Sequence, residues 1–298
     1  MVFHQSKTRV YNIVHSDWGY KVSTHSSCIC NEQVSLHNRH LIDRSYLKYN
    51  SKCIKYGFKL LNKLYSYKSG YTNYLDLVNS YSGKKKKSYY RAWKNLLENG
   101  LQKKHAVINM FVKPDRLPEE VIKDKAPRAI QYRRPEFNLK YMHYFKAFEN
   151  HFIENFKYNS RNIAKGLNNR QRAELVVQKL GNFVKPKFLN IDHSKFDSTV
   201  NKHHLKYLHK FYRKCCPKGI YNLTKLQRKG IGYTKHGIKY RVNATRCSGD
   251  PDTGTGNSII NIACLLYVFR NCKFDFILDG DDAVVIMEAT DVINYKDF

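Results

Sequence analysis

The chain has 298 residues, which is long enough for a large hydrophobic core and excludes a small disulfide-stabilised miniprotein. Its 53 lysine and arginine residues outnumber 24 acidic residues, and the resulting net charge of +29 favours a polyanionic partner such as nucleic acid. With 42% hydrophobic and 14% aromatic residues, the chain is too apolar to be a disordered basic tail.

The N-terminal part of the chain is strongly cationic, since residues 1–110 contain only five acidic residues. The first residues have no apolar signal-peptide core, and no run of 18 apolar residues occurs anywhere, so we expect no membrane anchor. The eight cysteines lack the spacing of a secreted scaffold, which favours reduced thiols in a cytosolic setting.

A small group of possible metal ligands lies near the N-terminus and comprises His25, Cys28, Cys30, His37 and His40. Zinc sites usually space their paired cysteines by two to four residues, and the Cys-x-Cys spacing here is tighter. We therefore interpret these residues as ordinary loop and packing residues, with a zinc site as the alternative.

The predicted elements of the first two thirds of the chain are helices and strands around one low-complexity run. Lysines 84–87 form that run, and it is either a solvated surface or a phosphate contact. Residues 89–99 and 139–157 carry apolar residues at helical spacing, which predicts core-facing helices. Residues 105–113 predict a strand ended by Pro114, and residues 187–192 predict a strand that ends on a carboxylate.

The last third of the chain begins with a predicted helix over residues 199–213, whose histidines we place on the helix surface. A stretch rich in glycine and lysine, 217–246, predicts short strands and turns. A loop with a capping residue at 250–254 then leads into a long apolar helix, 254–269. Finally, two strands, 274–279 and 283–287, form a hairpin with Asp281 and Asp282 at its tip.

The residues that carry chemistry are four aspartates. Asp192 ends a strand, Asp197 follows five residues later, and Asp281 and Asp282 lie at the hairpin turn. Carboxylates brought together need a compensating cation, and Mg²⁺ prefers oxygen ligands. Two such ions about 3.5–4 Å apart can activate a hydroxyl and stabilise a leaving phosphate oxygen. The excess of acidic over basic residues from residue 275 onward likewise suggests a bound cation.

The helix after the capping loop adds polar groups to an apolar surface. Thr253, Asn257 and Asn261 follow each other at intervals of four residues and therefore share one face. Their polar groups either serve packing within the first turns or point into a binding site.

The ordered motifs resemble the RNA-dependent RNA polymerases of small positive-strand RNA viruses of the tombusvirus-like type. The resemblance runs from about Tyr81 to Glu288 and is faint before residue 80. Its catalytic motifs are Asp192-His-Ser-Lys-Phe-Asp197, Ser248-Gly249-Asp250-Pro-Asp-Thr253-Gly-Thr-Gly256-Asn257 and Gly280-Asp281-Asp282. Its fingers motifs are Tyr81-Ser-Gly83 with the lysine run, Phe111-Val112-Lys113, and Lys125-Ala-Pro127-Arg128-Ala-Ile-Gln131-Tyr-Arg133.

The resemblance implies a catalytic role and a metal-binding role for three aspartates. Asp192 and Asp281 would hold two Mg²⁺ ions, for which Mn²⁺ can substitute, and Asp282 would be a weaker or outer ligand.

The remaining positions that the resemblance implies would bind substrate. Asp197 and Asn257, with Ser248, Gly249 and Thr253 nearby, would sense the ribose 2′-hydroxyl, while Lys125, Arg128 and Arg133 would neutralise the triphosphate.

The resemblance also implies an α/β right-hand polymerase with fingers and a palm built on an antiparallel sheet. Fingers would occupy 1–185 and return at 215–245, and the palm would hold 186–214 and 246–298. The sequence ends 16 residues after Asp282, where the family continues, so the thumb is expected to be missing. Asp252 stands where the family tends to have asparagine.

The implied reaction is template-directed addition of a nucleoside monophosphate to an RNA 3′-hydroxyl with release of pyrophosphate. The implied partners are template and product RNA, NTPs and other viral replication proteins, in the host cytoplasm and on a membrane reached through a partner.

Two other functions stay open as alternatives. A catalytically silent RNA-binding subunit explains the charge and the tyrosines but not the gathered carboxylates, and a metal-dependent nuclease does not explain the Ser-Gly-Asp loop.

Overall fold

The computed structural model describes residues 10–12, 21–40 and 51–293, which form a mixed α/β structure. The strands of this part are β1 (Val10–Asn12), β2 (Lys21–Ser23), β3 (Ile108–Val112), β4 (Leu117–Pro118), β5 (Ala129–Tyr132), β6 (Pro186–Ile191), β7 (Lys229–Thr234), β8 (Lys239–Asn243), β9 (Phe274–Asp279) and β10 (Asp282–Glu288). Its helices are α1 (Ile29–Arg39), α2 (Ser51–Leu64), α3 (Tyr74–Asn79), α4 (Gly83–Asn99), α5 (Glu119–Ile122), α6 (Pro135–Asn155), α7 (Asn169–Leu180), α8 (Phe196–Thr199), α9 (Lys202–Cys215), α10 (Ile220–Arg228) and α11 (Thr253–Val268).

Three antiparallel strands in the order β6-β10-β9 form the sheet that carries the acidic motifs. The predicted hairpin is confirmed as β9 and β10, but its turn consists of Gly280 and Asp281, and Asp282 is already the first residue of β10. Gly280 has φ +73°, a backbone conformation that glycine adopts without strain. The turn therefore presents Asp281 at the edge of the sheet.

A second sheet has four strands in the order β5-β3-β7-β8, with β3 and β7 parallel. The predicted strand over 105–113 begins only at Ile108, because Lys103–Ala106 form a turn of 3₁₀ helix in which Gln102 and His105 cap each other. A small third sheet joins β1, β2 and β4.

The main core lies between the first of these sheets and helices α2, α6, α9 and α11. The aromatic stripe predicted for residues 139–157 is confirmed as core, since Phe145, Phe148 and Phe152 of α6 are fully buried. Helix α11 packs closely on α2 at Gly57, where an added Cβ would lie 1.9 Å from the carbonyl oxygen of Ala263. The two helices thus meet with almost no side chain between their backbones.

Two predictions for the segment around residues 199–246 are wrong in part, although the predicted short strands are confirmed as β7 and β8. Residues 220–228 form helix α10 instead of strands and turns, with Ile220, Leu223 and Gln227 on its buried face. His209 of α9 is fully buried and not on the helix surface, and burial lowers its pKa to about 3. Its neutral imidazole therefore belongs to the core.

The acidic residues after position 275 are mostly neutralised by the protein itself. Asp275 is fully buried and forms an ion pair of 2.8 Å with Lys179, which is equally buried. Asp279 pairs with Arg172 at 3.0 Å, and Glu288 accepts hydrogen bonds from the backbone of Val184 and Lys185. The expected bound cation at Asp275 is thus the ammonium group of Lys179. Asp297 lies outside the described residues.

All eight cysteines are free thiols. No described helix is both long enough and apolar enough to cross a membrane. No group of three or more histidine, cysteine or acidic side chains within the described ranges is gathered tightly enough to hold a metal as it stands. Cys28 instead caps α1, where its sulfur accepts a hydrogen bond from the backbone N–H of Asn31.

Candidate active site

The carboxylates of two distant chain segments meet at one end of the sheet β6-β10-β9. Ile191 pairs with Ala283 across the antiparallel β6-β10 ladder. Continuing that register by one residue places Asp192 beside Asp282 and next to the turn that holds Asp281. The pairing therefore brings together aspartates about 90 positions apart in the sequence.

Asp192, Asp197 and Asp281 line a pocket of about 340 Å³, called here the central pocket. The lining is also rich in cations, so carboxylates and positive side chains share one small volume. The other charged or polar residues of the wall are Arg39, His40, Lys113, Arg128, His193, Lys195, Ser198, Arg246 and Ser248.

The carboxylates of the central pocket and the adjacent Asp282, which does not line it, influence each other's ionisation. Burial raises the pKa of Asp281, and the neighbouring charges of Asp197 and Asp192 raise it further. Burial also raises the pKa of Asp282, with Asp281 and Asp192 contributing in the same direction. The negative charge of this group is therefore under-compensated by the protein alone.

The donor set fits a magnesium ion. Mg²⁺ binds through one or two carboxylates and keeps waters or substrate phosphates as its other ligands, so it needs no closed cage of protein groups. Asp281 and Asp282, whose pKa values are raised by burial and further by neighbouring carboxylates, would gain from a divalent cation. Asp192, Asp281 and Asp282 are the residues of this set that adjacent strand ends bring together.

Helix α11 connects two parts of the pocket through its polar face. Asn257 donates a 2.8 Å hydrogen bond from Nδ2 to Asp197 Oδ1. One turn later, Asn261 donates a 3.0 Å bond to the backbone carbonyl of Asp281, and its Oδ1 lies 3.3 Å from His193 Nε2. The shared face predicted from the sequence is thus directed at the acidic motifs rather than used only for packing.

Asp197 is held in an environment that disfavours its charge. Burial raises its pKa, while the hydrogen bond from Asn257 acts in the opposite direction. The result is a mostly buried carboxylate of fixed orientation at the wall of the pocket.

The Ser-Gly-Asp loop rests directly on strand β5. Ser248 Oγ accepts a 3.2 Å hydrogen bond from the N–H of Gln131, and the N–H of Gly249 donates a 2.7 Å bond to the carbonyl of Gln131. A Cβ at Gly249 would lie 2.6 Å from that same carbonyl. Thr253 fixes the next part of the loop, since its hydroxyl donates a 2.7 Å bond to Cys247 O.

A buried ionic network lies beneath the loop and changes the interpretation of Arg133. This arginine does not face the pocket, because its side chain is fully buried and its Nε lies 2.8 Å from Asp250 Oδ1. Arg246 similarly holds Asp252, with 3.1 Å between Nη1 and Oδ2. Gln227 donates hydrogen bonds to both aspartates at 3.2 and 2.7 Å. The implied triphosphate contact is therefore wrong for Arg133, which instead anchors the loop.

The same network explains the residue that departs from the family pattern. Asp252 is the N-cap residue of α11 but makes no side-chain capping bond, because its carboxylate is occupied by Arg246, Gln227 and Tyr212. Gly256 leaves room for this arrangement, since an added Cβ would lie 1.7 Å from Arg246 Nη2.

The remaining basic residues divide into those in the pocket and those outside it. Arg128 lines the pocket and pairs with Asp115 at 2.6 Å, while Lys125 is exposed and does not line it. Two further cations of the pocket, Arg39 and Lys195, were not predicted as site residues. Arg39 ends α1, where the family resemblance is faint, and Lys195 occupies a left-handed conformation with φ 53° between Asp192 and Asp197.

Comparison with known proteins gives a consistent result. A family model described as viral RNA-dependent RNA polymerase matches residues 2–297. The RNA-directed RNA polymerase of Carnation mottle virus is 30% identical over 73% of this chain and 29% of its own length. That of Turnip crinkle virus is 30% identical over 71% of the chain and 28% of its length, and that of Melon necrotic spot virus is 32% identical over 70% and 27%. The matched regions thus span less than a third of these relatives.

Proposed function

The chain belongs to the family of viral RNA-dependent RNA polymerases, and we propose that it supplies the catalytic site of template-directed RNA synthesis. The reaction is transfer of a nucleoside monophosphate from an NTP to the 3′-hydroxyl of an RNA strand. The observation that carries the proposal is the meeting of Asp192 and Asp281 in a pocket that is also lined by several cations. Phosphoryl transfer needs mainly positioned charge of both signs.

We assign the carboxylates of the central pocket to the metal ions and its cations to the triphosphate. Asp192 and Asp281 would hold the divalent ions, with Asp282 as a weaker ligand. Bound Mg²⁺ would activate the attacking hydroxyl and stabilise the leaving oxygen. Arg128, together with Lys113 and Arg39, would orient the triphosphate through charge-assisted hydrogen bonds. Lys125 would neutralise the triphosphate of an NTP as it enters, at a position outside the pocket.

The corresponding domain assignment follows the family. Residues 1–185 and 215–245 would form fingers, and residues 186–214 and 246–298 would form the palm around the sheet β6-β10-β9. The partners would be template and product RNA, NTPs and other viral replication proteins. The complex would act in the host cytoplasm, on a membrane reached through a partner.

The direct test is incorporation of labelled nucleotide on a homopolymeric RNA template. We expect incorporation with Mg²⁺ or Mn²⁺ only for the NTP complementary to the template, and none with EDTA. Equal incorporation of NTPs that are not complementary to the template would contradict template-directed synthesis. Binding of RNA without any incorporation, under all metal conditions, would favour the silent RNA-binding subunit instead.

A second expected result concerns the selection of NTP over dNTP by the sugar. We propose that Asp197 and Asn257, with Ser248, Gly249 and Thr253 shaping the adjoining loop, recognise the ribose 2′-hydroxyl. Asn257→Ala should reduce the ratio of kcat/KM for NTP over dNTP about tenfold, because the hydrogen bond that orients the Asp197 carboxylate is lost. Single-nucleotide incorporation with each substrate measures this ratio.

The matched control for the sugar experiment is Asn222→Ala, which changes an exposed asparagine of α10. Its ratio should equal that of the unmodified chain. If Asn257→Ala lowered kcat/KM equally for NTP and dNTP, Asn257 would have a structural role and no part in sugar selection.

A further inference from the structure

Helices α2 and α9 carry rows of exposed lysines and no acidic residue. In α2 the row repeats every four residues, and in α9 it does the same. Residues four apart lie on the same side of a helix and rise about 6 Å along its axis. The six residues, called here the lysine face, are Lys55, Lys59, Lys63, Lys202, Lys206 and Lys210, all exposed.

The two rows belong to neighbouring helices. The rings of Phe58 and Tyr207 stack with centroids 6.0 Å apart, and Lys214 Nζ donates a 2.9 Å hydrogen bond to Asn62 Oδ1. The second contact lies nearer the C-terminus of both helices than the first, so α2 and α9 run side by side in the same direction. Each lysine row spans about 12 Å along its helix axis, and the two rows lie on neighbouring helices.

The lysine face has no counter-charge in the described part of the chain, where none of its six members forms an ion pair. Some cations elsewhere are paired with carboxylates, as Arg128 is with Asp115 and Lys179 is with Asp275. Parallel rows of unpaired like charges repel each other and gain from an external polyanion.

The lysine face is also separate from the central pocket. No residue of α2 or α9 lines that pocket, whose wall comes from the end of α1, strands β3 and β5, the β6-α8 segment, the Ser-Gly-Asp loop and the β9-β10 turn. A ligand of the lysine face would therefore bind outside the candidate active site.

We propose that the lysine face binds the phosphate backbone of RNA, independently of its sequence. Lysines are flexible point charges that neutralise phosphates without reading bases. A lipid surface fits less well, because an interfacial helix inserts apolar side chains and those of α2 and α9 are turned into the core. The buried set includes Ile54, Phe58, Leu61, Leu205, Leu208 and Phe211.

This inference does not rest on the proposed polymerase activity, since it concerns binding without nucleotides. The experiment measures the affinity of the full chain for a fluorescent single-stranded 20-nucleotide RNA at several salt concentrations. Two triple variants remove three charges each, namely Lys55→Gln/Lys59→Gln/Lys63→Gln and Lys202→Gln/Lys206→Gln/Lys210→Gln. The matched control, Lys103→Gln/Lys104→Gln/Lys123→Gln, removes the same charge from exposed lysines elsewhere.

We expect each lysine-face variant to bind RNA about tenfold more weakly at low salt, and to lower the slope of log affinity against log salt by about 2. The control should change neither value by more than about twofold, and circular dichroism should be the same for all four proteins. Equal losses in all three variants would overturn the proposal in favour of a net-charge effect. Unchanged RNA affinity with lost binding to phosphatidylserine vesicles would overturn it in favour of a membrane surface.

Discussion

Asp281→Asn should lower nucleotide incorporation about 1000-fold, because it removes a charge that the proposed divalent ions require and leaves the shape of the turn unchanged. The turn should persist, since the backbone carbonyl of Asp281, and not its carboxylate, accepts the hydrogen bond from Asn261. Titration calorimetry with Mn²⁺ supplies a second readout, in which the variant should lose most of the binding heat. That measurement tests the metal assignment whether or not the isolated chain turns over.

The control for this substitution is Asp279→Asn, two residues away at the end of β9. Asp279 is 42% exposed, pairs with Arg172 and does not line the central pocket. Its replacement should leave both incorporation and Mn²⁺ binding within about twofold. If Asp281→Asn and Asp279→Asn gave equal results, Asp281 would not be a metal ligand.

Lys179→Met should lower the free energy of unfolding by about 3–5 kcal/mol, because it leaves the buried carboxylate of Asp275 without its cation. Asn162 and the backbone N–H of Phe276 would still donate to that carboxylate, but neither carries a charge. Urea denaturation followed by circular dichroism measures the change, and the denaturant dependence should stay constant if only stability is altered.

The double variant Lys179→Met/Asp275→Asn separates the ion pair from packing. It removes the unpaired charge, so it should be more stable than Lys179→Met alone. A double variant as unstable as the single one would show that the methionine packs poorly in place of Lys179 and that the charge is not the cause. Arg170→Met, which removes an exposed pair with Glu174, should change stability by less than about 1 kcal/mol.

The sequence predicted the elements whose signals are local. Asp192 could be placed at a strand end because an apolar run precedes it, and α11 because its apolar stretch follows a loop. The hairpin at Gly280 was equally clear, since the turn residues lie between two apolar strands. These three elements are enough to suggest where the candidate site lies.

The partners of buried polar residues could not be predicted, because they are distant in the sequence. Arg133 belongs to a basic segment that looks like a phosphate-binding loop, and only its contact with Asp250, 117 residues away, shows that it is buried. His209 follows two other histidines on a helix, and its burial depends on where α9 packs. Arg39 reaches the central pocket through the same kind of long-range placement.

Asn257 and Asn261 hold different acidic segments from successive turns of one helix. Their separation along the axis, about 6 Å, is therefore set by the backbone of α11. An insertion or deletion of a single residue between them would turn one asparagine by about 100° away from its partner. This stretch of the chain therefore cannot change in length without separating the Asp197 carboxylate from the β9-β10 turn.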